Sequence, residues 1–298
     1  MRRTGLGCTI IVVACATLAT PVRAAGPAPD VAALQVALRD RGVYRGTIDG
    51  VSGPATTSAL MEFQRRAGLP VDGVLGPGTR HALGRYARHA RGGRPLARGA
   101  FGWDVAALQF RLAWAGFPSA RFSGRFGGHL DHALRAFQVF AGLTPDGVAD
   151  AEVRAALRRP PPRAPFRLDW PLRAPVGDRY GPRGDRFHAG IDVPAPLGTP
   201  VRSAAPGRVT YSGWGGSGFG RLVVVDHRDG VTTIYSHLGK LRVRGGESTP
   251  AGAIVGEVGA TGDATGPHLH FEVRVRGAAV DPLRALGRRP AVRSAARR

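Results

Sequence analysis

The first half of this 298-residue chain contains one sequence twice, and this duplication constrains the fold more than any other feature. Residues 31–83 align without a gap on residues 105–157, and 22 of the 53 aligned pairs are identical. Self-similarity at a fixed period indicates that each copy is one supersecondary unit. The sequence therefore predicts two copies of the same small module.

Each copy has the apolar spacing of short helices. Leu34 and Leu38 lie four residues apart, and similar i, i+3/i+4 spacing follows in the second stretch, so one face of each helix turns to a common small core. We predict two all-α, three-helix modules, over residues 26–87 and 103–159. In the first module the predicted helices are Val31–Arg41, Pro54–Ala67 and Pro77 to about Ala87.

The turns between these helices carry a family resemblance. The strings Gly50-x-x-Gly53 and Asp72-Gly73-x-x-Gly76 resemble the peptidoglycan-binding domain type 1 family, which implies that peptidoglycan is a partner. The second copy departs from the pattern, because Ser123 replaces Asp49 and Asp150-Ala151 replaces Gly76-Pro77. We expect it either to bind differently or to pack against a neighbour. Four aromatic residues also distinguish the second copy: Trp114, Phe117, Phe122 and Phe126.

Residues 1–25 have the pattern of a signal peptide. Arg2 and Arg3 precede an apolar run that is too short to cross a membrane, and small residues follow at Ala24-Ala25. We expect a secreted or cell-wall protein without a transmembrane segment. The alternative is a lipoprotein anchored through Cys15, since Val12-Val13-Ala14-Cys15 also resembles a lipoprotein signal. Both cysteines, Cys8 and Cys15, lie in this leader, so no disulfide is expected in the mature chain.

The chain is strongly basic. Its formal net charge is +21, which falls to +18 without the three arginines of the leader. Such a charge attracts polyanions, and the anionic polymers of a bacterial wall are one possible partner. A nucleic-acid-binding protein is the competing interpretation, but it leaves the leader and the histidine strings described below without a role. We therefore expect no specific nucleic-acid partner.

The periodicity changes from helical to β at about Pro171. We predict an all-β, antiparallel-sheet domain over residues 171–286. Its predicted strands are Val201–Gly213, Leu222–His227, Val231–Leu238, Ala253–Val258 and His268–Val275. The remaining segments are a flexible linker (88–102), a stiffer Pro-rich linker (160–170) and a basic disordered tail (287–298).

Histidines are concentrated in three strings of the β domain: His188-Ala-Gly-Ile-Asp192, Tyr235-Ser-His237-Leu238 and Gly266-Pro-His268-Leu-His270-Phe271. His268 and His270 lie two apart in a predicted strand, so both rings project from the same face. One ring can then bind a metal while the other reaches the metal's water. Nitrogen and oxygen ligands without a thiolate are typical of a catalytic zinc site.

These strings resemble the lysostaphin-type (LytM-type) zinc metalloendopeptidases of bacterial cell walls. The resemblance runs from about Gly181 to Leu286, and its other motifs occur in the family's order: Gly198-Thr199-Pro200-Val201, Gly207-x-Val209, Asp226-His227, Gly259-x-Thr261-Gly262 and Glu272 after the last string. It implies that His188, Asp192 and His270 hold one Zn²⁺ per chain and that His237 and His268 are the catalytic pair. The division of proton transfer between those two stays open.

Two further residues near these strings have simpler interpretations. His227 stands at a predicted strand end beside a turn, and we expect a structural role for it. Glu272 shares the face of His268 and His270, so it either orients a ring or forms a surface salt bridge.

The resemblance implies a secreted peptidoglycan hydrolase, a zinc-dependent endopeptidase that cleaves amide bonds in stem peptides or cross-bridges and is held on the wall by its two repeats. The alternative is a catalytically inactive relative that binds the wall or activates another hydrolase, although the ligand set here is complete. We also expect the repeats to be dispensable for hydrolysis itself, so that a chain lacking residues 26–158 stays active.

Overall fold

The computed structural model describes residues 27–89 and 93–287. The predicted leader with Cys15 and the predicted tail from residue 288 onward lie outside the described residues. Helices come first and antiparallel strands follow, so the predicted fold class, helical modules followed by an all-β domain, is confirmed. Within the described ranges, every helix is too short or too polar to cross a membrane.

The helices of the two repeats begin in different ways. Proline at the first turn starts all three helices of the first repeat, where its missing N–H costs nothing. In the second repeat Asp150 caps the last helix instead, and its carboxylate accepts a hydrogen bond from the Val153 amide (3.0 Å). The helices are α1 (Pro29–Asp40), α2 (Pro54–Arg66) and α3 (Pro77–Ala82), then α4 (Trp103–Trp114), α5 (Gly128–Ala141) and α6 (Ala151–Ala156).

Two sequence expectations around the end of the first repeat were wrong. The third helix was predicted to reach about Ala87, but α3 ends at Ala82 and Gly84, with φ +62°, begins a 3₁₀ turn. The following linker was predicted to be flexible. From Gly93 on it is bonded to the second repeat: Leu96 and Ala149 exchange two main-chain hydrogen bonds (3.2 and 2.8 Å).

Four buried glutamines hold the turns of the repeats. Gln35 accepts a hydrogen bond from the Gly50 amide (2.9 Å) and donates one to Asp49 (2.7 Å), which ties α1 to the turn that follows it. Comparable bonds tie the other helices to their turns at Gln64, Gln109 and Gln138. Because a buried amide group is costly without partners, these bonds explain why glutamine recurs at these positions.

The two repeats pack against each other through their first helices. Helices α1 and α4 lie side by side, and the indole N–H of Trp103 on α4 donates to Asp30 on α1 (3.2 Å). Leu38 of the first repeat and Phe110 of the second belong to the same buried apolar cluster. The repeats therefore form one helical unit.

The β domain is built from antiparallel pairs. β1 (Gly181–Arg183) and β2 (Arg186–His188) form a separate hairpin. The nine-stranded sheet comprises β3 (Ile191–Pro194), β4 (Pro200–Arg202), β5 (Gly207–Trp214), β6 (Arg221–Asp226), β7 (Val231–Leu241), β8 (Ser248–Thr249), β9 (Ile254–Val258), β10 (His268–Val275) and β11 (Ala278–Val280). Its main order is β11-β10-β7-β6-β5-β8, with β3 beside β10 and β9 joining β4 to β7. Short helices α7 (Gly216–Phe219) and α8 (Pro282–Ala285) complete the domain.

Strand β10 has the bounds that the sequence predicts, and its alternation directs Leu269, Phe271 and Val273 into the core. The strand predicted over Val201–Gly213 is instead two strands. The chain leaves the ladder between them, where the Ala204 amide donates to the Tyr235 hydroxyl (2.8 Å) and Pro206 has no N–H to donate.

The aromatic residues found only in the second repeat pack in two different clusters. Phe117 and Phe126 pack in the core of that repeat. Trp114 and Phe122 instead lie in a cluster with Phe187 of the β1–β2 hairpin. Of the two alternatives left by the sequence, packing against a neighbour is the one that the structure contains.

Candidate metal centre

Strand pairing brings the three predicted metal ligands together. β3 runs antiparallel to β10 in a register that sets Asp192 opposite His270. His188 ends β2, three residues before β3 begins, and Gly190 lies between them against the main chain of Phe271. A side chain at Gly190 would collide with that backbone, since its Cβ would lie 2.3 Å from the carbonyl oxygen of Phe271.

The donor atoms of this cluster are close and shielded. Oδ1 of Asp192 lies 2.8 Å from Nδ1 of His270 and 3.1 Å from Nε2 of His188, and the two ring nitrogens are 2.9 Å apart. All three residues are buried, with 4 to 9% of their surface exposed. Atoms of this spacing can share one metal ion.

The outer nitrogens of both rings have oxygen acceptors. Nδ1 of His188 donates to the carbonyl of Arg179 (2.9 Å), and Nε2 of His270 donates to Glu272 (3.1 Å). In neutral rings the inner nitrogens then carry lone pairs that face each other at 2.9 Å and repel unless a cation lies between them. This donor set fits a metal ion, and the outer acceptors are of the kind that orient metal-binding histidines.

Buried carboxylates give the cluster its negative charge. Burial opposes ionisation of Glu272, but Arg274 and His270 outweigh it and lower its pKa to about 2. Burial likewise disfavours the charged form of His270, yet hydrogen bonds to Asp192 and Glu272 raise its pKa to about 9. For Asp192, hydrogen bonds from His188 and His270 overcome burial and hold the pKa well below its usual range. The centre thus stabilises positive charge.

Glu272 both contacts the His270 ring and forms a salt bridge, but the salt bridge is buried and not the surface pair considered from sequence. One carboxylate oxygen accepts from His270, and the other accepts from Nε of Arg274 (2.8 Å). The pair is not at the surface, because only 2% of Glu272 is exposed.

His237 reaches the cluster because strand β7 is irregular at this point. The pairing register shifts on both sides of the strand near Leu238, and His237 has φ +60°, which is uncommon for a residue other than glycine. Nδ1 of His237 donates to the carbonyl of Thr261 (2.7 Å), so Nε2 is its basic nitrogen. Burial lowers the pKa of this imidazole.

His268 lies beside the cluster on the same strand as His270. Its Nδ1 donates to the carbonyl of Gly266 (2.9 Å), and its Nε2 lies 3.8 Å from Oδ1 of Asp192. The ring centroids of His237 and His268 are 4.7 Å apart. The structure therefore gathers all five residues singled out by sequence at one place.

Arg183 is a residue of this centre that the sequence did not indicate. Its guanidinium donates to Oδ2 of Asp192 (3.1 Å) and to Asp178 (2.9 Å). It thereby occupies the Asp192 oxygen that faces away from the histidines. An arginine beside a glycine turn has no distinguishing pattern, so only the fold reveals this contact.

His227 lies apart from the cluster, at the end of β6. It is hydrogen-bonded through Nδ1 to the carbonyl of Pro206 (2.9 Å) and through Nε2 to Thr233 (2.8 Å). Both contacts hold a turn of the sheet, in line with the structural role proposed from sequence.

Residues 186–282 match the family model of peptidase family M23, and residues 27–83 and 102–157 each match the peptidoglycan binding domain model PG_binding_1. The chain carries an M23 peptidase domain preceded by two peptidoglycan-binding repeats. The resemblance drawn from sequence is confirmed. The cluster described above lies within the M23 domain.

Three known proteins illustrate the similarity of the M23 domain. The DD-carboxypeptidase/endopeptidase Mpg of Neisseria meningitidis is 44% identical over 119 residues, which cover 38% of this chain and 26% of Mpg. The murein hydrolase activator NlpD of Escherichia coli is 33% identical over 120 residues, covering 40% of this chain and 31% of NlpD. The catalytic domain of lysostaphin from Staphylococcus simulans is 34% identical, with 37% of this chain and 90% of that domain covered and a TM-score of 0.35. The match thus spans about a quarter to a third of the two curated relatives.

Proposed function

We propose that this protein is a zinc-dependent endopeptidase that hydrolyses amide bonds in the stem peptides or cross-bridges of peptidoglycan. The observation that carries the proposal is the convergence of two histidine ring nitrogens and one carboxylate oxygen within 3.1 Å of one another, in a buried M23 site. Similarity to a DD-carboxypeptidase/endopeptidase supports a peptide bond of the wall as the substrate.

One zinc ion per chain would be held by Nε2 of His188, Oδ1 of Asp192 and Nδ1 of His270. When bound, zinc supplies a Lewis acid and a water whose pKa is lowered to about 7. The protein's part is to keep these donors aligned, and the bonds from His188 to Arg179 and from His270 to Glu272 do so.

His237 and His268 would perform the proton transfers of the reaction. Each holds its Nδ1–H on a main-chain carbonyl, so each offers a basic Nε2. One ring would accept a proton from the attacking water or pass one to the leaving amine, and the other, when charged, would stabilise negative charge on the amide oxygen. Their separation of 4.7 Å allows both to reach one substrate bond.

The repeats would bring the enzyme to its polymeric substrate. Two linked peptidoglycan-binding modules raise the local concentration of the M23 domain on the wall. The net positive charge would add attraction to anionic wall polymers, a contribution that salt screens over about 8 Å at physiological ionic strength. An exported protein, secreted or anchored through Cys15, fits this substrate.

A hydrolase-activating protein without activity of its own is the second candidate. The observation in its favour is the similarity to NlpD, whose name describes an activator. The complete donor set at His188, Asp192 and His270 favours the enzyme, because an activator has no need of a cation site.

The test compares zinc content and hydrolysis in three histidine variants. His270→Ala should lose both zinc and hydrolysis, whereas His268→Ala should keep zinc and lose hydrolysis by about 10²- to 10⁴-fold, the usual contribution of a general acid or base. His227→Ala, outside the cluster, is the control and should keep both. Zinc is measured by elemental analysis, and hydrolysis by mass spectrometry of fragments released from purified sacculi, which also identifies the bond.

Equimolar zinc together with normal hydrolysis in His270→Ala would refute the ligand assignment. Stoichiometric zinc in the wild-type protein without any release of fragments, combined with stimulation of a second hydrolase, would favour the activator.

A further inference from the structure

The hairpin that carries His188 is not part of the nine-stranded sheet. β1 and β2 pair only with each other among the described strands, through three residue pairs. A two-stranded hairpin alone is at best marginally stable in water. The sheet holds the hairpin through the hydrogen bond from Arg183 of β1 to Asp192 of β3, and the bond from His188 to Arg179 fixes the ring rather than the hairpin. Further support comes from outside the sheet.

The tip of the hairpin is held by equivalent positions of both repeats. The Ile48 amide of the first repeat donates to the carbonyl of Gly184 (2.8 Å), and the Phe122 amide of the second donates to the carbonyl of Asp185 (2.8 Å). Ile48 and Phe122 are 74 residues apart and so occupy the same place in the duplicated sequence. The side chain of Asp185 also accepts a hydrogen bond from Arg121 (3.0 Å).

The face of the hairpin is held by aromatic stacking. Phe187, the residue before His188, is 8% exposed and belongs to the apolar cluster of the repeats. Its ring meets Trp114 edge to face at 5.2 Å and Tyr180 at 4.9 Å. Neighbouring side chains of a strand point to opposite faces, so burial of Phe187 in the repeats directs His188 toward Asp192 and His270.

We propose that the two repeats position His188 for metal binding by clamping the β1–β2 hairpin through Ile48, Trp114, Arg121 and Phe122, here called the hairpin clamp. The proposal rests on the zinc site proposed above. The repeats are then a support of the metal centre as well as a wall anchor, and a chain without residues 26–158 holds zinc poorly. This reverses the expectation from sequence that the repeats are dispensable for hydrolysis.

Trp114→Ala tests the clamp from the repeat side, at a residue that is not itself a metal donor. Amide hydrogen exchange across 181–188 in the zinc-free protein should become faster, and zinc release to a chelator should become about tenfold faster, as when a group supporting a metal ligand is removed. Trp114→Phe should restore both values. Its phenyl ring is smaller than the indole but can still meet Phe187 edge to face, and the indole N–H that is lost is buried without a hydrogen-bond partner among the described residues.

Asp40→Ala is the matched control, because Asp40 is exposed at the equivalent position of the first repeat and should leave both values unchanged. If Trp114→Ala loosens α4 and α5 throughout, Arg121→Ala takes its place. Arg121 is exposed, so its removal leaves the repeat folded and should still accelerate hairpin exchange relative to Arg135→Ala, which breaks a pair internal to the repeat.

The two proposals fail in different ways. Wild-type protein that takes up no zinc would refute the metal centre and with it the role of the clamp in positioning a ligand. Wild-type protein that binds zinc normally, with hairpin exchange and zinc release unchanged in Trp114→Ala, would overturn the clamp alone.

Discussion

The two repeats have corresponding helices and corresponding buried glutamines, but their surfaces contact different parts of the molecule. Asp40 at the end of α1 is exposed, whereas Trp114 at the equivalent end of α4 stacks on Phe187 of the β domain. The duplicated module thus keeps the glutamines that hold its turns and changes residues that face a neighbour. In this chain, two of the four aromatic substitutions of the second copy, Trp114 and Phe122, mark an internal interface.

The glutamine bonds themselves differ in one respect. Gln35 donates to the charged Asp49 at 2.7 Å, while Gln109 donates to the neutral hydroxyl of Ser123 at 3.3 Å. Hydrogen bonds to charged groups stabilise more than neutral ones, so the first turn of the first repeat is held more firmly.

The largest expected difference in unfolding free energy is between variants of the glycine that follows the first helix of each repeat. Gly42 and Gly116 are equivalent and both have positive φ (+72° and +96°). A Cβ at Gly42 meets nothing within 4 Å, but a Cβ at Gly116 would lie 2.5 Å from the carbonyl of Ala279 in β11. Gly42→Ala should cost about 1 to 2 kcal/mol of unfolding free energy for the left-handed conformation alone, and Gly116→Ala about 1 to 3 kcal/mol more for the collision.

Denaturant unfolding of the two glycine variants measures this difference. Equal losses of stability would mean that the end of α4 does not press on β11.

The next difference concerns the buried glutamines. Gln35→Ala leaves the buried main-chain N–H of Gly50 without its acceptor, and Gln109→Ala does the same to that of Gly124. Each loss should cost roughly 1 to 3 kcal/mol of unfolding free energy. Gln35→Ala should cost about 1 kcal/mol more, because it also removes a partner of the Asp49 carboxylate. The excess should disappear when both glutamine variants are compared in an Asp49→Ser background. If Gln35→Ala still costs more than Gln109→Ala in that background, the Asp49 carboxylate is not the cause.

The smallest expected effect concerns the loss of stability in acid, and it should be the same in both repeats. Asp72 and Asp146 accept hydrogen bonds from the amides of Val74 and Val148 and from Gln64 and Gln138, and these bonds lower the pKa of both carboxyls. Carboxyls with lowered pKa stabilise the folded state above their unfolded pKa, about 3.9, and this contribution is lost as the pH falls through the folded value.

Asp72→Asn and Asp146→Asn should therefore each make the loss of stability below about pH 4 shallower, and to a similar extent. Unfolding curves recorded down the acid range provide the measurement. A change in only one variant would show that the second turns of the repeats are not equivalent.

Much of the candidate site could be predicted from sequence, because its residues stand in short strings with strand-like spacing. His268 and His270 project from one face of β10 as their two-residue spacing requires, and β10 has the predicted bounds. Arg183 and the split of the predicted Val201–Gly213 strand could not be predicted. Arg183 is only nine residues from Asp192, but their contact depends on how the fold sets the β1–β2 hairpin against β3. The split depends on Tyr235, 31 residues from Ala204.

The sequence by itself determined what is local or periodic: the duplicated helices, the turns at Asp72 and Asp146, and the alternation of β10. Tertiary structure alone decided where the two halves of the chain meet, since nothing in the string around Phe187 indicates that its ring enters the core of the repeats. Such contacts join residues more than 60 positions apart, and the free energy that selects them comes from burying surfaces that only the folded halves present.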